Sequence, residues 1–418
     1  SVTATNSGTS PISGTITVTP TFTNGGTGCE GSSETFTITV NPTPAVTSAS
    51  TKTICDNTDL DYNITSGVTG TTFTWTASIT SAPTGGTITG FSDCSSSCGS
   101  TITQTLDNSG TSPGEVTYTI TPYGPDPTNC AGDPFDLVVT VQPYPDVIAT
   151  PASETICNGS ATDIDLSTNI TDETVTYTWS ASNTSGGTVT GFSDCSSSCG
   201  ANIAQTLTNN DTEPGVVTYT ITPFIGSCQG DDITVDVTVN PSGQVNDPAN
   251  QVLCNDASTD AVTFTTTHTG GTTTYAWTND VTSIGLAASG TGDISSFTAV
   301  NTGSSPVTAT IEVTPTFTND GVACAGSSET FTITVNPTGQ VDDPDDQYVC
   351  HDQATTVDFT TQNSGGTTTY AWTNDNTDIG LASSGNGNIS FTASNSTSVP
   401  IAGTLTVTPT FTNGGESC

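Results

Sequence analysis

The sequence predicts an all-β chain, a tandem array of sandwich domains of about 100 residues each. Three observations predict it. Thr alternates with large apolar residues over short runs, the same runs return at a fixed period, and each period carries one tryptophan and a matched set of cysteines.

The alternation comes first. Runs such as Thr72-Phe73-Thr74-Trp75-Thr76 and Thr117-Tyr118-Thr119-Ile120-Thr121 repeat every two residues, the mark of a strand with one buried face. Gly or Pro interrupts nearly every segment of helical length, and no 3.6-residue apolar stripe appears. About seven short strands per repeat are expected.

The period follows from exact recurrences. Thr19-Pro20-Thr21-Phe22-Thr23-Asn24 returns at 314–319 and 408–413, with variants at Thr121-Pro122-Tyr123 and Thr222-Pro223-Phe224. Cys55, Cys157, Cys254 and Cys350 form one cysteine series, and Cys29, Cys130, Cys228, Cys324 and Cys418 a second of the same period. Apolar alternation closes each repeat ahead of Pro42, Pro143, Pro241 and Pro337. The expected units are therefore 1–43 (the closing strands of a repeat), 44–143, 144–241, 242–337, and 338–418, which lacks its last strand. Residues 2–29 match 391–418, there is no methionine, and Ser1 falls midway through a repeat. The sequence reads as a window of a longer array.

Trp75, Trp179, Trp277 and Trp372 follow the first cysteine of their repeats by 20, 22, 23 and 22 residues. An indole buries a large area, so each is expected to anchor a core. Cys…Trp…Cys evokes an immunoglobulin-like sandwich, but these cysteines fall in end loops: Cys157 precedes Asn158-Gly159-Ser160, and Cys228 follows Gly226-Ser227. One bond per repeat is expected, joining first loop to last: Cys55 to Cys130, Cys157 to Cys228, Cys254 to Cys324, and Cys350 to Cys418, with Cys29 left over. In the chain-entropy model each such bond contributes roughly 4 kcal/mol. Two repeats carry a further Cys-Ser-Ser-Ser-Cys segment, Cys94 to Cys98 and Cys195 to Cys199. With two thiols, one Asp and no neighbouring His, a local disulfide is expected there in preference to a metal site. Cysteine usage of this kind belongs to an oxidising, extracellular setting.

Taken together, Thr155-Ile156-Cys157-Asn158-Gly159, Thr176-Tyr177-Thr178-Trp179, Gln205-Thr206-Leu207-Thr208-Asn209, Pro214–Pro223 and Val237-Thr238-Val239-Asn240-Pro241 resemble the PKD-like repeats of Bacteroidota surface proteins. The resemblance covers essentially the whole chain and is most specific over 144–241. The repeats at 242–337 and 338–418 replace the Gln-Thr-Leu-Thr-Asn segment. Such repeats occur in giant adhesins, gliding-motility adhesins of the SprB kind among them, exported by type IX secretion. The resemblance therefore implies a cell-surface location and a role in adhesion.

Composition excludes other occupations. Forty acidic residues stand against one basic residue, Lys52, for a formal charge of −39. No nucleic-acid partner is expected at such a charge. No window reaches the roughly 18 apolar residues of a membrane helix, so no membrane insertion is expected. The only histidines, His268 and His351, lie in different repeats at unmatched positions, and no Gly-x-Ser-x-Gly is present. No catalytic residue is assigned and no cofactor is expected. Asp342, Asp343, Asp345 and Asp346 form the densest acidic cluster and are candidate calcium ligands, against a plain reading as a solvated linker. The sequons at Asn63 and Asn169 are what an Asn/Thr-rich chain produces by chance. Tyr123, Tyr144 and Phe224 near the repeat ends would suit either packing of neighbouring repeats or recognition of a glycan or protein. The expected function is a non-enzymatic extracellular stalk within a surface adhesin, with a calcium-dependent binding array or accessory repeats of a secreted enzyme as the other classes.

Overall fold

A computed structural model describes residues 1–96 and 98–418, and it is all-β, with two single-turn 3-10 helices at Thr282–Ile284 and Thr377–Ile379. Its buried apolar residues separate into four clusters, spanning 54–141, 147–239, 245–335 and 359–389. Each cluster is the core of one Ig-like sandwich.

The sandwich built round the 147–239 cluster shows the pattern. Its larger sheet runs Ser153–Cys157, Ile233–Asn240, Gly215–Ile225, Thr176–Gly186, Cys195–Cys199 in spatial order. The first pair is parallel, with Cys157 beside Asn240, and the rest are antiparallel. Short strands at Ile148–Thr150, Ile164–Ser167 and Asn202–Ile203 form the facing sheet. Along Gly215–Ile225 every second residue is buried, Val217, Tyr219 and Ile221 completely, while Thr218, Thr220 and Thr222 face outward. The Thr/apolar alternation thus builds a strand whose outer face is soluble without charge.

All four tryptophans are buried in the cores, as the sequence suggests. What covers them differs. In the first two sandwiches the Cys-x-x-x-Cys segment lies on the sheet edge: Trp75 bridges to Cys94 and Trp179 pairs with Cys195. In the other two a glycine takes that place, and a Cβ on Gly290 or Gly385 would sit 2.2 Å from the Trp277 or Trp372 ring.

The Gln-Thr-Leu segment has a matching logic. Tyr118 and Tyr219 are completely buried, and each donates its hydroxyl hydrogen to a glutamine Oε1, of Gln104 (2.8 Å) and Gln205 (3.0 Å). Their cross-strand partners are Leu137 and Val235. In the third sandwich that pair becomes Ile311 opposite Phe331, so the large ring changes strands and no hydroxyl is left to satisfy. The glutamine goes with the tyrosine.

Residues 1–43 form two antiparallel strand pairs, Ile12–Val18 against Glu34–Val40 and, between them, Thr21–Asn24 against Thr27–Glu30. Phe36 and Ile38 are exposed there, whereas Phe331 and Ile333 at the matching positions are buried.

Candidate functional site: the junction between sandwiches

The cysteines of the two long-period series do not close loops within a repeat. Cys55 is bonded to Cys228, Cys157 to Cys324, and Cys254 to Cys418, with Cα–Cα distances of 5.4, 5.4 and 5.5 Å. The expected pairs Cys55–Cys130, Cys157–Cys228, Cys254–Cys324 and Cys350–Cys418 are all replaced. Cys29, Cys130 and Cys350 are free thiols.

Strand direction is the physical reason. Cys157 ends a strand that runs parallel to Ile233–Asn240 and lies at its far end, while Cys228 sits in the hairpin just before Ile233. Eight extended residues put the two positions roughly 23 Å apart, at opposite ends of one sandwich, and a disulfide tolerates about 7 Å between Cα atoms. The first-loop cysteine of each sandwich lies instead where the chain leaves it, facing the last hairpin of the next.

Local chemistry holds that first loop in place. Two residues past each first-series cysteine the backbone turns left-handed, at Asn57, Gly159, Asp256 and Asp352, with φ of 52°, 79°, 65° and 69°. These residue types tolerate that region best. The side chain in between, on Asp56, Asn158, Asn255 or His351, accepts a backbone N–H bond from Asn108, Asn209, Asn301 or Asn395. The first three of those asparagines donate Nδ2 to the carbonyl of the closing strand, Val141, Val239 and Val335, at 2.7–2.8 Å. Burial raises the Asp56 carboxyl above its ordinary value, and the bond from Asn108 opposes this.

Further contacts cross each junction. Asn240 and Asn319 bond reciprocally at 3.1 and 3.2 Å, and so do Asn336 and Asn413 at 2.9 and 3.0 Å. At the first junction Gln142 replaces the asparagine. It donates to Glu173, and its Oε1 is buried without a partner. On another side of the junctions a backbone bond recurs, from Thr171 to Thr111, Thr269 to Thr212, and Ser364 to Ser304, at 2.7–2.9 Å. Each of the three junctions between the four sandwiches is thus fixed by a disulfide, by a side-chain amide and by backbone. The entering chain is packed as closely, since a Cβ on Gly132, Gly230 or Gly326 would lie within 2.0 Å of the carbonyl of Pro44, Pro145 or Gly243.

Cys94–Cys98 and Cys195–Cys199 are bonded locally. Ser97, within the first of these segments, lies outside the described residues. Beside the staples, Asp93 and Asp194 accept the backbone N–H of Ala77 and Ala181, both at 2.8 Å.

The acidic cluster is not gathered round a common point. Asp342 accepts from Thr360 at 2.7 Å and pairs its own N–H with the Thr360 carbonyl, while Asp343, Asp345 and Asp346 are exposed. Among the described residues no three His, Cys, Asp or Glu side chains converge as a metal-binding group. Thr168 likewise donates to Asp146, whereas at the matching position Asn246 donates its Nδ2 to Thr265, so this position ties the entering chain to the segment it runs beside. His268 stacks edge-on against Phe317 at 5.9 Å, and its Nδ1 is buried without a partner. His351 accepts from Asn395 and lies 3.4 Å from Asp352. Lys52 donates to the Leu60 and Asp61 carbonyls. The Tyr144 hydroxyl donates to Asp231 at 2.7 Å, and Tyr123 and Phe224 are half-buried. None of these assembles a nucleophile with a base.

The class is a covalently braced row of all-β sandwiches. More particularly, the PKD-like domain family model matches residues 52–145 and 154–243, which covers the two sandwiches with the Cys-x-x-x-Cys edge. No curated protein matches the chain. Among solved structures it is similar to Drosophila N-cadherin EC1-4, at 12% identity, covering 78% of this chain and 83% of that one with a TM-score of 0.25. Human desmocollin-1 ectodomain is similar at 10% identity, 93% and 83% coverage and a TM-score of 0.25. The eight N-terminal Ig domains of Down syndrome cell adhesion molecule are similar at 11% identity, 88% and 68% coverage and a TM-score of 0.24.

Proposed function

We propose that this chain is a non-enzymatic extracellular stalk: sandwiches at 44–143, 144–241, 242–337 and 338–418 held in line, within a bacterial surface adhesin. The observation that carries the reading is the recurrent junction, where a matching disulfide and backbone bond, with a side-chain amide beside them, fix each sandwich to the next. A molecule selected to hold orientation between units invests its polar groups there, and these do so. The disulfides and the acidic surface suit life outside the cell, and the PKD-like match supports the adhesin assignment. Gliding adhesins and type IX export belong to the finer form of the same proposal. Recognition of a glycan or protein by the end loops, with or without calcium, is the competing class. Here the inner end loops are already occupied by the junctions.

Small-angle scattering tests the stalk. Four units in line, each about 37 Å along an eleven-residue strand, make a rod of about 150 Å with a radius of gyration of about 43 Å. A compact 418-residue particle would give about 22 Å, and that value would remove the proposal.

A further inference from the structure

The three inter-repeat bonds overlap in sequence, closing 55–228, 157–324 and 254–418. Each bond therefore reaches across the start of the next. We propose that tension along this chain is carried by a covalent track that bypasses most of the folded backbone, so that the other strands of a sandwich can unfold without the chain lengthening.

The track can be followed residue by residue. Force entering at Cys55 crosses its disulfide to Cys228. From Cys228 it follows the backbone to Cys254, through the strand Ile233–Asn240, residues 241–250 and the strand Gln251–Cys254. It then crosses the next disulfide to Cys418. The backbone between Cys55 and Cys418 numbers 363 residues (55 to 418), but the track uses only the 26 steps from 228 to 254. Fully extended, those 26 steps span about 90 Å. Much of that length is already strand, one in each of two successive sandwiches, so little slack exists. Cys157–Cys324 begins a second track, again 26 steps from Cys324 to Cys350. Cys350 is a free thiol, so within this chain that second path holds one bond, and its strand Glu329–Asn336 lies beside the first track's Gln251–Cys254 in one sheet.

Sheets alone would not give this property. A sandwich that unfolds under load normally releases its whole length, and bonds within each repeat would still leave the residues outside each loop free. Here the hydrogen-bonded strands keep the junctions in register, while covalent bonds set the maximum length. Reduction with a dithiol, which passes two electrons and two protons to each bond so that both protein sulfurs become thiols while the dithiol is oxidised to a disulfide, turns the nearly inextensible stretch from Cys55 to Cys418 into an extensible one.

The test is single-molecule pulling of the full chain from tags at its two ends, with and without a dithiol reductant. With the bonds intact the free segment before Cys55 and the track together allow about 290 Å, whereas the reduced chain allows about 1,460 Å. Bonds confined within repeats would allow about 490 Å when oxidised. An oxidised limit near 290 Å is expected; a limit near 490 Å, or one approaching the reduced value, overturns the proposal. Cys254→Ser opens one track, and the shortest remaining path lengthens to about 780 Å. If that variant kept the wild-type limit, the track would not run as described. This deepens the stalk reading and fails separately from it, because an extensible chain could still scatter as a rod.

Discussion

Cys157, at the exit of one sandwich, is bonded to Cys324, in the last hairpin of the next, and its sulfur lies 3.6 Å from the Ala323 carbonyl. That bond closes a loop holding most of one repeat and most of its neighbour. Removing it should affect both. In the chain-entropy model a loop of 167 residues contributes about 5 kcal/mol, an upper figure because the model is disputed. Cys157→Ser is expected to lower the unfolding free energy of the sandwiches at 144–241 and 242–337 together, read by hydrogen exchange, with less effect on 44–143.

Free thiols report the same pairing. Native alkylation followed by mass spectrometry should label three cysteines, Cys29, Cys130 and Cys350. Labelling of Cys29 alone would restore the within-repeat arrangement.

Gln205 and Tyr219 form a buried polar pair, and burial pushes the Tyr219 hydroxyl up to about 12. Gln205→Leu removes the glutamine acceptor from that hydroxyl and should cost about 2 kcal/mol. Adding Tyr219→Phe removes the hydroxyl as well, so the double variant is expected to recover part of the loss. Urea unfolding of the single and double variants measures the coupling.

Gly326 has the Gly243 carbonyl where a Cβ would be, at 1.7 Å. Gly326→Ala must displace the entering chain and should cost about 3 kcal/mol. Gly292, where nothing lies within 4 Å of a Cβ, has a left-handed φ of 68°, so Gly292→Asn is the control for backbone conformation without crowding.

Burial against Phe317 lowers the proton affinity of His268 below its ordinary value of 6.5. The unfolded chain then binds the proton more readily than the folded one. Stability from this group is complete above pH 6.5 and is lost as pH falls through the lowered folded value. The difference between wild type and His268→Gln isolates the effect of this one side chain. Between pH 7.5 and 5.5 wild type should lose more stability than the variant, and parallel curves would contradict it.

The strands, the repeat and the buried tryptophans were legible because each follows from local pattern: Thr alternating with apolar residues, and one indole per period. The pairing of Cys55, Cys157 and Cys254 was not, because loop position says nothing about which end of a sandwich a loop occupies. The end depends on strand direction, and the parallel placement of Ser153–Cys157 beside Ile233–Asn240 is a long-range fact. A signal did exist. The first cysteine and the proline-terminated closing strand both mark the exit of a repeat, whereas the last cysteine comes before the closing strand begins. The junction asparagines, Asn240 with Asn319 and Asn336 with Asn413, were hidden among many others in an Asn-rich chain. The acidic run at Asp342–Asp346 drew attention by charge alone, and only the fold reveals that Asp342 fastens Thr360.

Disulfide mapping reads the central relationship most directly. Non-reducing digestion at acidic residues, followed by mass spectrometry of the cross-linked peptides, should join the peptide containing Cys157 to the one containing Cys324. A peptide joining Cys157 to Cys228 would contradict the account.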